Sequence, residues 1–326
     1  MTDKQINISC VGCGTIGAGW VARLMQNGLN VKIYDPTPIL DSRLSNVLDN
    51  SKRAHKKIFP NGNMNPGTFD YYTEITPALE NADFVIESVP ERIDMKQEIY
   101  EQIEKACSPQ TIIASSTSGI KPSDLQKQMN RPERLIVAHP FNPVYLIPMV
   151  EVVGGSKTDL VFINKACDFF TSIFMKPVHI KKEIEAFVAD RLLEAIWRES
   201  LWLIKDGICT TEELDDIVRY GFGLRYAQMG VFQTYRTAAG DGGMRQFLNH
   251  FGPCLSWPWT KLMDVPEFND ELIDLISDQS DNQAKGKSIN DLERIRDDNL
   301  VEIQKALEKN DYGAGALIKK ARESIE

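Results

Sequence analysis

A short apolar run, residues 7–12 (NISCVG), passes directly into Gly12-Cys13-Gly14-Thr15-Ile16-Gly17, and a helical pattern over 16–28 begins at once. This G-x-G-x-x-G between strand and helix restricts the chain to few folds. The first glycine permits the tight turn, the second lets the backbone approach a pyrophosphate, and the third lets helix and strand pack closely. The helix N-terminus then offers unpaired N–H groups and a partial positive charge to phosphates. The next apolar run, 30–35 (NVKIYD), ends in Asp35, whose carboxylate is placed to accept hydrogen bonds from the ribose hydroxyls of NAD and to repel the extra phosphate of NADP. The expected cofactor is NAD, held by Gly12, Cys13, Gly14, Thr15, Ile16, Gly17 and Asp35.

Strand and helix patterns alternate beyond this point. Residues 82–89, 111–116 and 134–139 read as strands. Stretches 38–59, 95–106 and 122–129 read as helices, and 149–153 and 176–180 as further strands. From about 185 onward the strand signals stop. Helical spacing is found over 187–205, 211–220, 243–251, 270–276 and 289–308, and the polar run 277–288 reads as an exposed loop. A chain of 326 residues exceeds one ordinary domain. The expected architecture is therefore α/β: a Rossmann-type, mostly parallel sheet in residues 1–185, followed by an all-α domain in 186–326.

Charge and composition narrow the function classes. The 37 basic and 46 acidic residues leave a net charge of −9, which lacks the footprint of a nucleic-acid binder. No apolar run reaches the ~18 residues that span a bilayer, and the N-terminus lacks a leader pattern, so the expectation is a cytoplasmic protein with no membrane partner. Cys10 and Cys13 form a C-x-x-C with no second pair or nearby histidine, so no metal site is expected.

Four histidines are present: His55, His139, His179 and His250. His139 closes the predicted strand 134–139, and strand carboxyl ends are where open α/β sheets place ligands. Glu151 follows among valines (MVEVV). A carboxylate in such a run needs a partner, because an unpaired buried charge is costly, and His139 meets that need if the chain doubles back. A neutral imidazole oriented by a carboxylate suits hydride chemistry: it takes the hydroxyl proton of an alcohol while hydride leaves the carbon. A structural histidine with a satisfied hydrogen bond fits the same pattern.

With these residues in place, nearly the whole chain resembles the 3-hydroxyacyl-CoA dehydrogenase superfamily. The matching motifs are Ser115-Ser116-Thr117-Ser118, His139-Pro140-Phe141-Asn142-Pro143 and Glu151. The resemblance implies that Ser118 hydrogen-bonds the substrate oxygen and that His139 is the general acid/base with Glu151 as its partner. It further implies that Asn142 positions substrate or nicotinamide, and that Glu91 and Lys96 contact the cofactor. The helical half resembles the family's dimerisation domain, which implies a homodimer. Two departures stand out. Ser116-Thr117-Ser118 replaces the usual Asn-Thr-Ser, and Ala189-Asp190-Arg191 stands where an Asn-Arg pair is usual. A negative charge at Asp190 suits a cationic substrate better than an uncharged acyl chain.

Residues 187–199, 220–236 and 251–262 are most similar to the superfamily branch that oxidises L-carnitine, which implies that small molecule as substrate. Its trimethylammonium group favours aromatic faces and a negative field. Tyr145, Trp197, Phe222 and Tyr226 are candidate faces, with Asp190 supplying the field. The carboxylate of the substrate favours an arginine, and Arg191, Arg198 and Arg225 remain alternatives. Residues 137–151 and 223–227 also resemble the L-gulonate-oxidising branch and its lens-crystallin relatives, and the acyl-CoA enzymes are a further alternative, with Lys52, Arg53, Lys56 and Lys57 available for coenzyme phosphates. A non-catalytic NAD-binding protein is the alternative from another class.

Overall fold

The computed structural model describes residues 6–37, 42–60, 65–238, 243–251, 257–261, 269–272, 274–275 and 285–325. It forms two compact units, Met1–Asp190 with Arg296–Glu326, and Arg191–Ile295.

The first unit begins with β1 (Ile8–Val11), α1 (Thr15–Gln26), β2 (Val31–Tyr34), α2 (Ser42–Ile58), β3 (Phe69–Tyr72), α3 (Ile75–Leu79) and β4 (Phe84–Glu87). It continues with α4 (Ile93–Ala106), β5 (Ile112–Ser115), α5 (Pro122–Leu125), β6 (Leu135–Pro140), β7 (Met149–Gly154), α6 (Leu160–Ser172) and β8 (Lys176–Ile180). The eight strands make one sheet in the order β3-β2-β1-β4-β5-β6-β7-β8. Every neighbouring pair is parallel except β6 and β7. Strand order reverses between β1 and β4, and the carboxyl ends there flank the crevice in which such sheets bind ligands.

Side-chain alternation sorts the strands into two buried faces. Ile8, Cys10, Phe84, Ile86, Ile112, Ala114, Ile136, Ala138, Val150 and Val152 pack with Trp20 of α1, Leu44 of α2 and Phe162 and Phe170 of α6. The opposite residues, Val11, Val85, Ile113, Leu135, Val137 and Val153, pack with Leu79 of α3, Tyr100 and Ile103 of α4 and Leu125 of α5. Each such aliphatic side chain contributes roughly 1.5–3 kcal/mol when fully buried. The same period of two puts Glu87, Ser115, His139 and Glu151 on the second face, at or near the strand ends. The polar groups of the site are thus set by strand register.

The second unit is helical among the described residues: α7 (Ala189–Lys205, entering from the first unit), α8 (Thr211–Ile217), α9 (Gly223–Ala238) and α10 (Gly243–Phe251). Thr210 and Glu213 start α8 with a reciprocal capping box. Two helices follow, α11 (Ile289–Glu308) and α12 (Ala314–Ile325). The helical half expected over 186–326 thus resolves into the unit 191–295 and a segment, 296–326, that returns to the first unit. There Val301 and Ala321 pack against Ala22, Ala54, Phe59, Tyr145 and Leu146. Asp298 accepts from Arg53 and from Lys57 (2.5 Å), and Gln304 donates to the Leu146 carbonyl at 2.7 Å.

The predicted strands and helices within the described residues reappear with ends shifted by a few residues, while β3, α3, α6, α9 and α12 are additions. β3 is a four-residue, half-exposed edge strand (FDYY) with no apolar run to announce it. The expected helix over 270–276 and loop over 277–288 fall largely outside the described residues, as do 38–41 of the expected 38–59 helix.

Candidate active site

The glycine loop has the geometry its sequence requires. Gly12 adopts φ +89°, and a Cβ there would lie 2.8 Å from the Ser88 carbonyl oxygen. A Cβ on Gly17 would lie 2.0 Å from the Gly12 carbonyl oxygen, so both positions exclude any larger residue. Above Gly14 there is open space, and α1 starts there with no side-chain cap. Its first amides are therefore available to an anion, which fits the pyrophosphate of NAD. Asp35 stands just past β2, and its carboxylate accepts the N–H of Cys13 at 2.8 Å and of Thr37 at 2.9 Å. These bonds fix the acid against the loop.

A buried polar network lies beneath the neighbouring strand ends. Glu87, fully buried at the end of β4, accepts from Lys96 Nζ (2.8 Å) and the Val89 N–H (2.8 Å) on one oxygen. Its other oxygen accepts from the hydroxyls of Tyr100 (2.6 Å) and Ser115 (2.7 Å). Burial, then the charge of Glu87, pushes the Tyr100 hydroxyl well above its ordinary range, so it remains a donor. Lys96 is 1% exposed and also lies 3.5 Å from Glu91 Oε2. Expected as a cofactor contact, Lys96 has its ammonium engaged by Glu87, the Val89 carbonyl and Glu91. Glu91 accepts from the Thr117 hydroxyl and from the N–H groups of Ser118 and Gly119, both at 3.1 Å. Burial alone would raise its pKa, but Thr117, the charge of Lys96 and the two amides outweigh it and hold the carboxyl below its ordinary range. Ser116 accepts from the Trp20 indole N–H at 3.0 Å and bonds Ser88 at 3.0 Å. Ser118 itself is exposed.

The antiparallel pairing of β6 and β7 places His139 directly opposite Glu151. His139 Nδ1 and Glu151 Oε2 are 2.9 Å apart, with the residues 4% and 2% exposed. Glu151 Oε1 accepts the N–H groups of Val188 and Ala189, both at 3.1 Å, at the entry to α7. A buried carboxylate with these donors is fixed in place, and its second oxygen orients the Nδ1–H tautomer of the histidine. His139 Nε2 then faces Asp190, whose Oδ2 lies 3.7 Å away. The ring packs between Phe141 and Phe187, with centroids at 5.5 and 5.7 Å. An imidazole held on one side by Glu151 and faced on the other by Asp190 is equipped to gain and release a proton at Nε2.

Among the other expected residues, Asn142 is exposed just beyond β6 and precedes a cis proline bond. Tyr145 is buried, and its hydroxyl donates to Asp297 at 2.5 Å within the cluster that holds α11. This corrects the expectation that it offers a face to a ligand: its ring is committed to packing. Phe222 belongs to the second unit, where it packs on Tyr226 at 5.3 Å. Arg198, also in that unit, pairs with Glu194 at 3.3 Å. Glu87 and Tyr100 were not singled out from the sequence. Like Glu151, Glu87 is a carboxylate inside an apolar strand (FVIE), a position that demands a buried partner.

The model of the 3-hydroxyacyl-CoA dehydrogenase NAD binding domain matches residues 7–184, and the model of that family's C-terminal domain matches 187–263. A protein named L-carnitine dehydrogenase from Mesorhizobium japonicum is 58% identical over 95% of this chain and 87% of its own length. An L-carnitine dehydrogenase/betainyl-CoA thioesterase from Agrobacterium fabrum is 55% identical over 96% of this chain, which spans 64% of that protein's length. Among solved structures, the NAD+-dependent dismutase 5-formyl-3-hydroxy-2-methylpyridine 4-carboxylic acid 5-dehydrogenase is 29% identical, with a TM-score of 0.76 over 94% of this chain and 99% of that one.

Proposed function

Because the chain belongs to the 3-hydroxyacyl-CoA dehydrogenase family, we propose that it oxidises the 3-hydroxyl of L-carnitine to 3-dehydrocarnitine with NAD. The observation that carries this reading is the His139–Glu151 pair with Asp190 facing the remaining ring nitrogen. NAD, when bound, supplies the hydride acceptor. Gly12, Gly14 and Gly17 make room for it, and the α1 amides and Asp35 hold its phosphates and ribose.

His139 Nε2 takes the proton of the 3-hydroxyl as the alcohol is oxidised, and Glu151 keeps Nδ1 protonated and offsets the imidazolium charge. The Ser118 hydroxyl and Asn142 hold the reacting oxygen and the substrate in place. Asp190 supplies the negative field for the trimethylammonium group, which lies one methylene from the carbinol. Proton uptake by His139 beside a fixed cation is unfavourable, and a carboxylate next to both offsets that repulsion.

The same reading makes the protein a homodimer assembled through its helical unit, supported by the exposed Leu192, Leu193, Ile196 and Trp197 of α7. Light scattering on purified protein tests it. Cys10, Cys107, Cys167 and Cys209 are thiols, in keeping with a reducing cytoplasm. No helix among the described residues is long and apolar enough to cross a membrane.

NAD reduction with L-carnitine, D-carnitine, L-gulonate and 3-hydroxybutyryl-CoA tests the assignment. The highest kcat/KM is expected with L-carnitine. A higher value with L-gulonate or the thioester would refute the substrate, and turnover of none would refute the enzyme reading.

A further inference from the structure

The C-terminal segment returns over α1 and α2, and at that seam the first unit encloses a cavity with about 40 Å³ of free volume. Three of its polar lining residues are committed elsewhere. Gln26 donates to the Ser51 carbonyl at 3.0 Å, Asn27 to the Arg23 carbonyl at 2.8 Å and Tyr145 to Asp297 at 2.5 Å. The other three, Arg23, His55 and Gln304, have bonding capacity to spare.

Arg23 is 8% exposed. Its Nε donates to the Val144 carbonyl at 3.0 Å and its Nη2 to the Ile147 carbonyl at 3.2 Å, both uncharged acceptors, and Nη1 bonds nothing among the described residues. Burial lowers its pKa to about 10 and no carboxylate offsets that cost, yet the guanidinium remains a full cation at neutral pH. A buried charge without a counter-charge is unfavourable, and among the described residues the lining of the cavity holds no acid. His55 Nε2 is buried and unbonded, and the neutral ring can carry its hydrogen there. Gln304 is 4% exposed. Its Nε2 donates to the Leu146 carbonyl at 2.7 Å, which fixes the way the amide lies, so Oε1 is the atom left unbonded and it can only accept.

The cavity thus offers a cation, a donor and an acceptor. Water alone would meet the bonds and leave the charge of Arg23 uncompensated. A fully deprotonated anion such as nitrate would suit Arg23 and His55 but meet the lone pairs of Gln304 Oε1. An oxoanion that keeps one hydroxyl serves all three groups, because its charged oxygens accept and its O–H donates. The volume admits one compact species, since a single water already needs ~10–15 Å³.

We propose that this seam binds a small oxoanion bearing one hydroxyl, of the size of bicarbonate, with its charged oxygens on Arg23 and His55 and its hydroxyl on Gln304. Such an ion joins α1, α2 and α11 at the loop 144–147, whose carbonyls Arg23 and Gln304 already hold. The site is separate from the substrate reading and stands whichever alcohol the enzyme prefers.

The test uses the full-length protein with saturating NAD, so that the phosphate site at the glycine loop is filled. Thermal midpoints are measured in sealed cells at mildly alkaline pH and constant ionic strength, with chloride exchanged for bicarbonate or for nitrate, a planar anion of similar size with no hydroxyl. At ~50 mM, bicarbonate should raise the midpoint at least about 2 °C further than nitrate, and the shift should saturate. The parent should also broaden the resonance of ¹³C-bicarbonate, and unlabelled bicarbonate should relieve the broadening while nitrate does not. Gln304→Leu removes the acceptor and should bring the two anions level. His55→Phe keeps the ring beside Phe59 and should weaken bicarbonate binding about tenfold. Equal shifts with both anions in the parent, or no shift with either, would overturn the proposal. So would parent-like bicarbonate binding in both variants, which would place the ion elsewhere. If neither variant folds, the two parent measurements decide: broadening that nitrate relieves as well as bicarbonate does would overturn the site.

Discussion

Replacing Asp190 by Asn removes one charge with almost no change of shape, and the consequence can be worked from the 3.7 Å between its Oδ2 and His139 Nε2. Two unit charges at that separation interact by about 4–5 kcal/mol at an effective dielectric of ~20 and about 1 kcal/mol in bulk water. The Asp190 side chain is 27% exposed, which puts the interaction between these limits. A value of about 2–3 kcal/mol corresponds to a roughly 30–150-fold loss. That loss should fall on the proton-transfer step, because the imidazolium exists only once the hydroxyl proton has moved. A single-turnover measurement of NADH formation from L-carnitine reads this step without interference from product release. The attraction of the same carboxylate for the trimethylammonium group belongs to binding, so KM for L-carnitine should also rise. KM for a neutral tert-butyl isostere should not change. An unchanged single-turnover rate would show that Asp190 does not act on His139, and an unchanged KM would show that it does not face the cation.

Other expectations follow from the same geometry. His139→Ala should abolish turnover while leaving NAD affinity nearly intact, and retained activity would refute the base assignment. Asp35→Ala should raise the NADP/NAD ratio of kcat/KM, because the acid held against the glycine loop by the Cys13 amide would be gone. An unchanged ratio would refute the ribose role. His55 is held neutral: burial, then the charge of Arg23, lowers its pKa to about 4. The unfolded chain takes up that proton near its ordinary ~6.5 while the folded chain does not, so stability should fall as pH drops through this window, by about 2–3 kcal/mol at most. Thermal midpoints from neutral to acidic pH should show the slope, and His55→Gln should flatten it.

Much of this arrangement was legible in the residues. The glycine loop could be read because Gly12 and Gly17 have no alternative: neighbouring backbone occupies the space a side chain would need. Glu151 could be read because a carboxylate among valines demands a partner, and antiparallel register then supplies His139. Asp190 could be read only as a departure from a family pattern. Its approach to Nε2 depends on how α7 begins, with its first amides held by Glu151, and no local spacing encodes that. Lys96 was marked only by the family resemblance, since nothing in the helix pattern distinguishes it from a solvent-facing lysine. Its burial is settled by Glu87, which lies on a strand, outside the helix pattern. Tyr145 misled: the residue that claims its hydroxyl, Asp297, is 152 positions away in sequence.

The return of residues 296–326 to the first unit bears on how this protein can be dissected. A fragment ending at 190 would lose the acid that claims Tyr145 and the helices covering Ala22, Ala54 and Phe59, leaving a greasy scar where the intact chain has a packed seam. Such a fragment should clump on expression, and adding a synthetic peptide spanning 296–326 should rescue it. The nucleotide-binding half is therefore written in two separated passages of the gene, and any cut-and-paste engineering of it must carry both.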